Sequence, residues 1–163
     1  MQKYLKVAIK MYSHTVVFLH VLSAFVWVGG MIAIRVAVHP VLQSIEEPKI
    51  KLGKTLEITG RLFHLVIPFI VILFLTGLMM AISSKGHHGD LKSFLFTKES
   101  IWTVMTLNFS YMYFQRYRAW KFFEAGKLSE AKAKVKLIPN LLLPVNIALG
   151  IVALWLGVSL RGL

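Results

Sequence analysis

Histidines are the side chains in this sequence with the widest chemical repertoire. An imidazole is neutral near pH 7, and it can ligate haem iron or copper or relay a proton. Cysteine is absent, which excludes thiolate metal centres and the covalent attachment of c-type haem. All six histidines are therefore candidate metal ligands: His14, His20, His39, His64, His87 and His88.

His20 is the strongest of these candidates because it interrupts an apolar run, residues 15–34, that contains no other ionisable group. An ionisable side chain within such a run usually has a function. Helical spacing predicts one face formed by His20, Ser23, Trp27 and Met31. Gly30 beside that face allows close approach of a flat ligand. We predict a cofactor site at His20 that is shaped by Trp27 and Gly30.

A second group of polar residues occurs on the third apolar segment. Asn108 and Tyr111 are three residues apart and share one helical face. The favoured interpretation of this face is helix packing through hydrogen bonds. The alternative is that one of the two provides a hydrogen-bond partner for His20, so both belong to the candidate site.

His64 belongs to a separate, inner site in this interpretation. Pro68, four residues later, cannot donate to the carbonyl of His64, which predicts a kink there. At 1.5 Å per residue in a core of about 30 Å, His20 lies about 8 Å inside one face and His64 about 3 Å inside the other. One metal ion therefore cannot bind both. His14, His87 and His88 fall on the outer side with His20, and His39 falls with His64.

Composition indicates what kind of protein must position these groups. Of 163 residues, 56% are hydrophobic and 16% are charged, and the mean hydropathy is +0.66. The net charge of +12 would suggest a nucleic-acid partner in a soluble protein. Here the basic residues lie between long apolar runs, which is typical of a membrane protein with charged loops. We expect the partner to be the lipid bilayer and not a nucleic acid.

Four spans are predicted, at residues 13–38, 60–83, 99–122 and 138–160. They predict an all-α membrane protein in which residues 1–163 form a single antiparallel bundle of four transmembrane helices. The third span is the most polar, and it requires Arg116 and Arg118 to extend towards the interface.

Loop charge predicts the orientation. The first and third connections carry twelve Lys and Arg residues, and the termini and second connection carry seven. The positive-inside rule then places both termini in the periplasm of a bacterial-type inner membrane.

The first span also resembles a known family. The run from His20 through Trp27 to Gly29 and Gly30 is similar to the His-x6-Trp-x-Gly-Gly pattern of CopD-like (copper resistance D) membrane proteins. This resemblance implies a four-helix membrane bundle associated with copper uptake or homeostasis. A more distant likeness to HemJ-type proteins implies an association with b-type haem.

Three functions are compatible with these observations. The leading one is a haem-b-binding membrane protein acting in electron transfer or as an accessory redox subunit, with a quinone or a larger membrane complex as partner. The second is a copper-handling CopD-like protein, and the third is a cofactorless structural subunit. No metalloprotease, P-loop or serine-hydrolase motif occurs, so the sequence leaves open whether the chain is an oxidoreductase component.

Overall fold

The computed structural model describes residues 2–83 and 90–159, which are helical except for turns at residues 44–47, 125–127 and 136 and contain no strand. This confirms the predicted all-α class. The helices in chain order are α1 (Gln2–Ala33), a π-helical segment (Ile34–Val38), α2 (His39–Gln43), α3 (Pro48–Ser83), α4 (Asp90–Glu124), α5 (Leu128–Val135), a second π-helical segment (Ile138–Leu142) and α6 (Leu143–Ser159).

Three helical stretches are long and apolar enough to cross a membrane: Ser13–Gln43, Pro48–Ile82 and Leu128–Ser159. They include the first, second and fourth predicted spans. Helix α4 does not meet the same criterion, so the predicted third span, 99–122, stays a prediction.

Helix α3 extends well beyond the predicted second span, 60–83. Helix α3 begins at Pro48, a favourable first residue because its missing N–H is not needed there. Its 36 residues reach about 54 Å, far more than a hydrocarbon core of about 30 Å. The early turns are helical because Leu52 and Leu56 pack into the same core as Ala131 and Val135 of α5. Hydropathy alone does not reveal this packing.

Prolines account for both π-helical segments. Pro40 and Pro144 have no N–H to donate to the carbonyl four residues earlier, and their rings crowd that carbonyl. Those carbonyls belong to Val36 and Asn140, the central residues of the two π-helical segments. The wider turns accommodate the rings. Helix α3, by contrast, is assigned as α-helix through Pro68.

An aromatic cluster joins three helices in the core. Phe109 of α4 meets Trp27 of α1 edge-on, with ring centroids 6.0 Å apart, and Phe63 of α3 at 5.0 Å. Edge-to-face geometry brings the positive ring edge to the negative ring face. Trp27 and Phe63 are each only 1% exposed. This cluster fixes the helices next to the His20 side of α1.

Interhelical amide contacts hold α4 against α6. The Asn108 side-chain nitrogen donates to the Leu142 carbonyl and to the Asn146 side-chain oxygen, each at 2.8 Å. Asn146, fully buried, donates in turn to the Met105 carbonyl at 3.1 Å. Both amides thus have partners inside the bundle, which supports the favoured packing interpretation of Asn108.

The outer surface of the helices is strongly apolar. Large hydrophobic side chains are exposed along every long helix, including Phe25 at 70%, Leu107 at 67% and Val158 at 72%. By contrast, Ser23, Thr76 and Asn146 are buried polar residues. An apolar surface around polar interior groups is the reverse of the usual soluble pattern.

Glycine packing provides a test of the α1–α6 contact. A Cβ at Gly150 would lie 2.6 Å from Val28 Cγ2, whereas one at Gly29 would meet no atom within 4 Å. Gly150→Ala should lower the free energy of unfolding by about 1–3 kcal/mol, because branched Val28 is stiff. Gly29→Ala should be neutral or stabilising by up to about 1 kcal/mol. Denaturation in detergent measures both, and equal effects would contradict the packing.

Candidate functional site

His20 forms a hydrogen bond across the α1–α3 interface. Its Nδ1 lies 2.9 Å from the hydroxyl oxygen of Thr76. That hydroxyl also lies 2.7 Å from the Ile72 carbonyl and 3.2 Å from the Leu73 carbonyl, both on its own helix. A hydroxyl has one proton, and here a helix carbonyl accepts it. We therefore assign the Thr76 oxygen as acceptor and the His20 Nδ1–H as donor.

This assignment determines the tautomer of His20. In a neutral imidazole, one nitrogen carries the proton and the other the lone pair. With the proton on Nδ1, the lone pair is on Nε2. Histidines that ligate metals through one nitrogen usually donate the N–H of the other to a protein acceptor, which also orients the ring. The His20–Thr76 pair has that arrangement.

Gly77 leaves room for the imidazole next to Thr76. A Cβ at this position would lie 3.5 Å from His20 Cε1, at ordinary contact distance. The ring therefore lies close to α3, with Nδ1 held by Thr76 and Cε1 facing Gly77. The side chain of His20 is half-buried in this position.

The predicted face of α1 points into the bundle. Ser23, Trp27 and Met31 are each 1% exposed, so their burial confirms the spacing argument. Ser23 donates to the Leu19 carbonyl at 2.7 Å, within its own helix. Trp27 Nε1 is buried and has no hydrogen-bond partner. It is a donor about 10 Å further along the same helix face as His20.

Gly30 brings α1 close to α3 one turn beyond Trp27. A Cβ on Gly30 would lie 2.9 Å from Leu62 Cδ1, so a side chain of α3 occupies the space beside it. Gly30 thus permits close helix packing, and its predicted role in shaping a ligand pocket stays a prediction.

The two α4 residues of the candidate site lie in different surroundings. Both amide hydrogens of Asn108 are used in the contacts with α6 described above. Tyr111 is exposed at 46%, and its hydroxyl accepts a hydrogen bond from Gln115 at 2.7 Å. Among the described residues, Thr76 of α3 accepts the hydrogen bond from His20 Nδ1, and neither Asn108 nor Tyr111 bonds to His20.

His64 lies far from His20 and on a different surface. On α3 it is separated from Thr76 by about 18 Å along the axis, at 1.5 Å per residue. Its side chain is exposed, with its ring edge-on to Tyr113 at 6.1 Å. The two histidines therefore lie too far apart to share one metal ion, and their predicted depths in a membrane stay a prediction.

The remaining histidines are also dispersed. His39 is held within its own helical stretch, because Arg35 donates to Nδ1 at 3.2 Å and the Gln43 amide lies 3.3 Å from Nε2. His14 is exposed. His87 and His88 lie outside the described residues. Within the described ranges, no three His, Asp, Glu or Cys side chains group closely enough to hold a metal ion.

A seam between α3 and α4 was not predicted. Three side-chain pairs face one another along it: Gly53 with Phe123, Gly60 with Arg116, and His64 with Tyr113. The Arg116 guanidinium covers Gly60, donates from Nε to the Leu56 carbonyl at 2.9 Å, and lies 5.0 Å from the Trp120 ring centroid. The available signal in the sequence was a glycine on α3 opposite a large side chain on α4 in two of these pairs.

A groove of about 490 Å³ opens at one end of this seam, between Trp120, Phe123 and the first turns of α3. None of its lining residues is a histidine, so it is separate from the His20–Thr76 pair.

No family model matches the chain, and neither a curated protein nor a solved structure matches it.

The hydrogen bond to His20 can be tested with an isosteric pair of variants. Thr76→Val removes the acceptor of the Nδ1–H and should lower the free energy of unfolding by about 1–2 kcal/mol. Thr55→Val is the control, because the Thr55 hydroxyl bonds only within its own helix, to Lys51 at 2.8 Å. It should change stability by less than about 0.5 kcal/mol. Unfolding in detergent provides the comparison, and indistinguishable losses would argue against an interhelical bond.

Proposed function

We propose that this chain is an integral membrane protein whose four helical stretches form an antiparallel bundle. The three apolar stretches and the exposed hydrophobic surface support insertion in a bilayer. The order of the contacts between α1 and α3 supports the antiparallel arrangement. Along α1, residue 20 contacts residue 76 and residue 30 contacts residue 62, so the sequence of α3 runs the opposite way. Helix α4 is the fourth member, packed through Asn108 and Phe109.

The proposed orientation places both termini in the periplasm of a bacterial-type inner membrane. Its support is the excess of basic residues in the first and third connections. Single cysteines at Lys51 and Lys132 should be shielded from an impermeant thiol reagent in intact cells. A cysteine at His88, in the second connection, should be labelled. The reverse labelling pattern would overturn the orientation.

We propose further that His20 ligates a b-type haem. The observation that carries this proposal is the hydrogen bond from His20 Nδ1–H to Thr76, which assigns the lone pair to Nε2. A histidine that ligates iron through Nε2 needs this tautomer and a fixed ring plane. Thr76 supplies both, and Gly77 permits the ring to lie close to α3.

The surroundings of His20 fit such a group in two respects. Trp27 Nε1 is a buried donor without a hydrogen-bond partner on the same helix face, and a polar group of a ligand would satisfy it. The neighbouring residues Ser23 and Thr76 direct their hydroxyl protons to carbonyls of their own helices.

Bound haem would supply one-electron transfer, and the chain would act as an electron-transfer protein or accessory redox subunit. A quinone or a larger membrane complex is the proposed redox partner. The likeness of the first span to CopD-like sequences supports a cofactor on α1. In this scheme Thr76 holds the proton on Nδ1, and the buried face around Trp27 excludes water.

Copper handling receives less support from the described residues. Met31, Met79 and Met80 are the methionines that could act as soft copper ligands, and of these Met31 is 1% exposed and about 16 Å from His20 along the helix. Met31 and His20 therefore do not share a metal ion. Copper binding and a cofactorless structural role are retained as outcomes of the experiment that follows.

Visible absorption of the purified protein tests the haem proposal. The wild type should show a Soret band and sharp reduced α and β bands. His20→Ala should lose them while keeping its helical circular dichroism, because hydropathy drives insertion. His64→Ala is the matched control and should keep the spectrum. Copper without these bands, or no cofactor at all, would overturn the proposal, as would full haem content in His20→Ala.

A further inference from the structure

The outer face of α4 changes its chemical character along its length. Leu107, Tyr111 and Phe114 are exposed at 67%, 46% and 56%, and Arg118 and Lys121 follow on the same face at spacings of three and four residues. The face therefore passes from aliphatic to aromatic to cationic. This is the order met between the hydrocarbon core and the headgroups of a bilayer.

The cations on this face are held by aromatic rings. The Arg118 guanidinium carbon lies 5.5 Å from the Phe114 ring centroid, and Lys121 Nζ lies 4.8 Å from that of Tyr117. Each distance is within the range of a cation–π contact. The rings restrict the two long side chains, so less conformational entropy is lost when an anion binds.

The turn after α4 brings a third cation to the same place. Gly126 adopts a positive φ of 74°, its N–H donates to the Phe123 carbonyl at 3.0 Å, and the Lys127 N–H donates to the Phe122 carbonyl at 2.9 Å. This pair of bonds is a Schellman motif, which reverses the chain at the helix end. A pocket of about 310 Å³ results, lined by Arg118, Lys121, Phe122, Ala125 and Lys127.

Carboxylates do not neutralise this pocket in the described part of the chain. The ion pairs among the described residues join Glu57 to Lys54 and Arg61, and all three residues are on α3 and away from the pocket. Glu124, the acidic residue of the last turn of α4, accepts a hydrogen bond from Trp120 Nε1 at 2.7 Å. Arg118, Lys121 and Lys127 thus present three exposed positive charges to one pocket.

We propose that this pocket binds the phosphate headgroup of an anionic phospholipid, with an acyl chain lying along the outer face of α4. Arg and Lys are the usual donors to phosphate oxygens. Leu107 lies about 16 Å from Arg118 along the helix, which matches the half-thickness of a hydrocarbon core, about 15 Å. This apolar face favours a lipid over a soluble phosphate compound. The proposal rests on membrane insertion and is independent of haem.

Lipid selection by the detergent-solubilised full chain tests the site. The protein is incubated with equal amounts of phosphatidylglycerol and phosphatidylcholine of identical acyl chains, and retained lipid is counted by native mass spectrometry. The wild type should prefer phosphatidylglycerol by about tenfold or more, since each cation contributes up to about fivefold. Arg118→Gln, Lys121→Gln and Lys127→Gln combined should reduce the preference to about twofold or less.

The control carries the same loss of charge elsewhere in the third connection. Lys132→Gln, Lys134→Gln and Lys136→Gln combined should retain the preference within about twofold, because none of these lysines lines the pocket. Equal losses in both triple variants, or no preference in the wild type, would overturn the site. Displacement of the lipid by millimolar inorganic phosphate would also overturn it, because a free-anion site would then be indicated.

Two further measurements keep the outcomes distinct. Flotation with vesicles reports membrane insertion separately, so a chain that fails to insert refutes the proposed function and not only the lipid site. If the triple variant gives no helical protein, Lys121→Gln alone carries the test, with an expected loss of about threefold to fivefold. Unchanged selection in that variant would refute the proposal.

Discussion

The architecture depends on one constraint, which is that polar groups inside a bundle with an apolar exterior need hydrogen-bond partners within the bundle. An unpaired buried donor or acceptor costs about 1–3 kcal/mol. Asn108 and Asn146 meet the constraint by bonding to each other and to carbonyls on the opposite helix. These directional bonds define the register of α4 against α6, which interchangeable apolar side chains specify only loosely.

The same constraint gives His20 its chemistry. We assign the single hydroxyl proton of Thr76 to a carbonyl of α3, so that its oxygen accepts the hydrogen bond from His20. Thr76, by donating its hydroxyl proton to a carbonyl of its own helix, thereby selects the tautomer of His20 on the adjacent helix. The metal-ligand proposal therefore follows from a packing requirement. The cationic pocket at the end of α4 does not depend on this constraint. Its charged side chains are exposed and can remain solvated.

Several features could be predicted from the sequence because they depend on local periodicity. The helical class and the burial of Ser23, Trp27 and Met31 follow from the 3.6-residue repeat. The partner of His20 could not be predicted, because the pairing of residue 20 with residue 76 depends on the register between two helices. The early turns of α3 were missed for a similar reason, since they are stabilised by contacts with α5. The π-helical segments result from Pro40 and Pro144. Only the structure shows that Pro68 does not produce such a segment in α3.

The tautomer of His20 is the central claim, and nuclear magnetic resonance of protein labelled with ¹⁵N-histidine and prepared without haem tests it most directly. The ¹⁵N shifts of protonated and unprotonated ring nitrogens are well separated, and loss of the signals in His20→Ala assigns them. The account predicts a protonated Nδ1 and an unprotonated Nε2, with a shift of the Nδ1 signal in Thr76→Val. A proton on Nε2, or signals that Thr76→Val leaves unchanged, would contradict it.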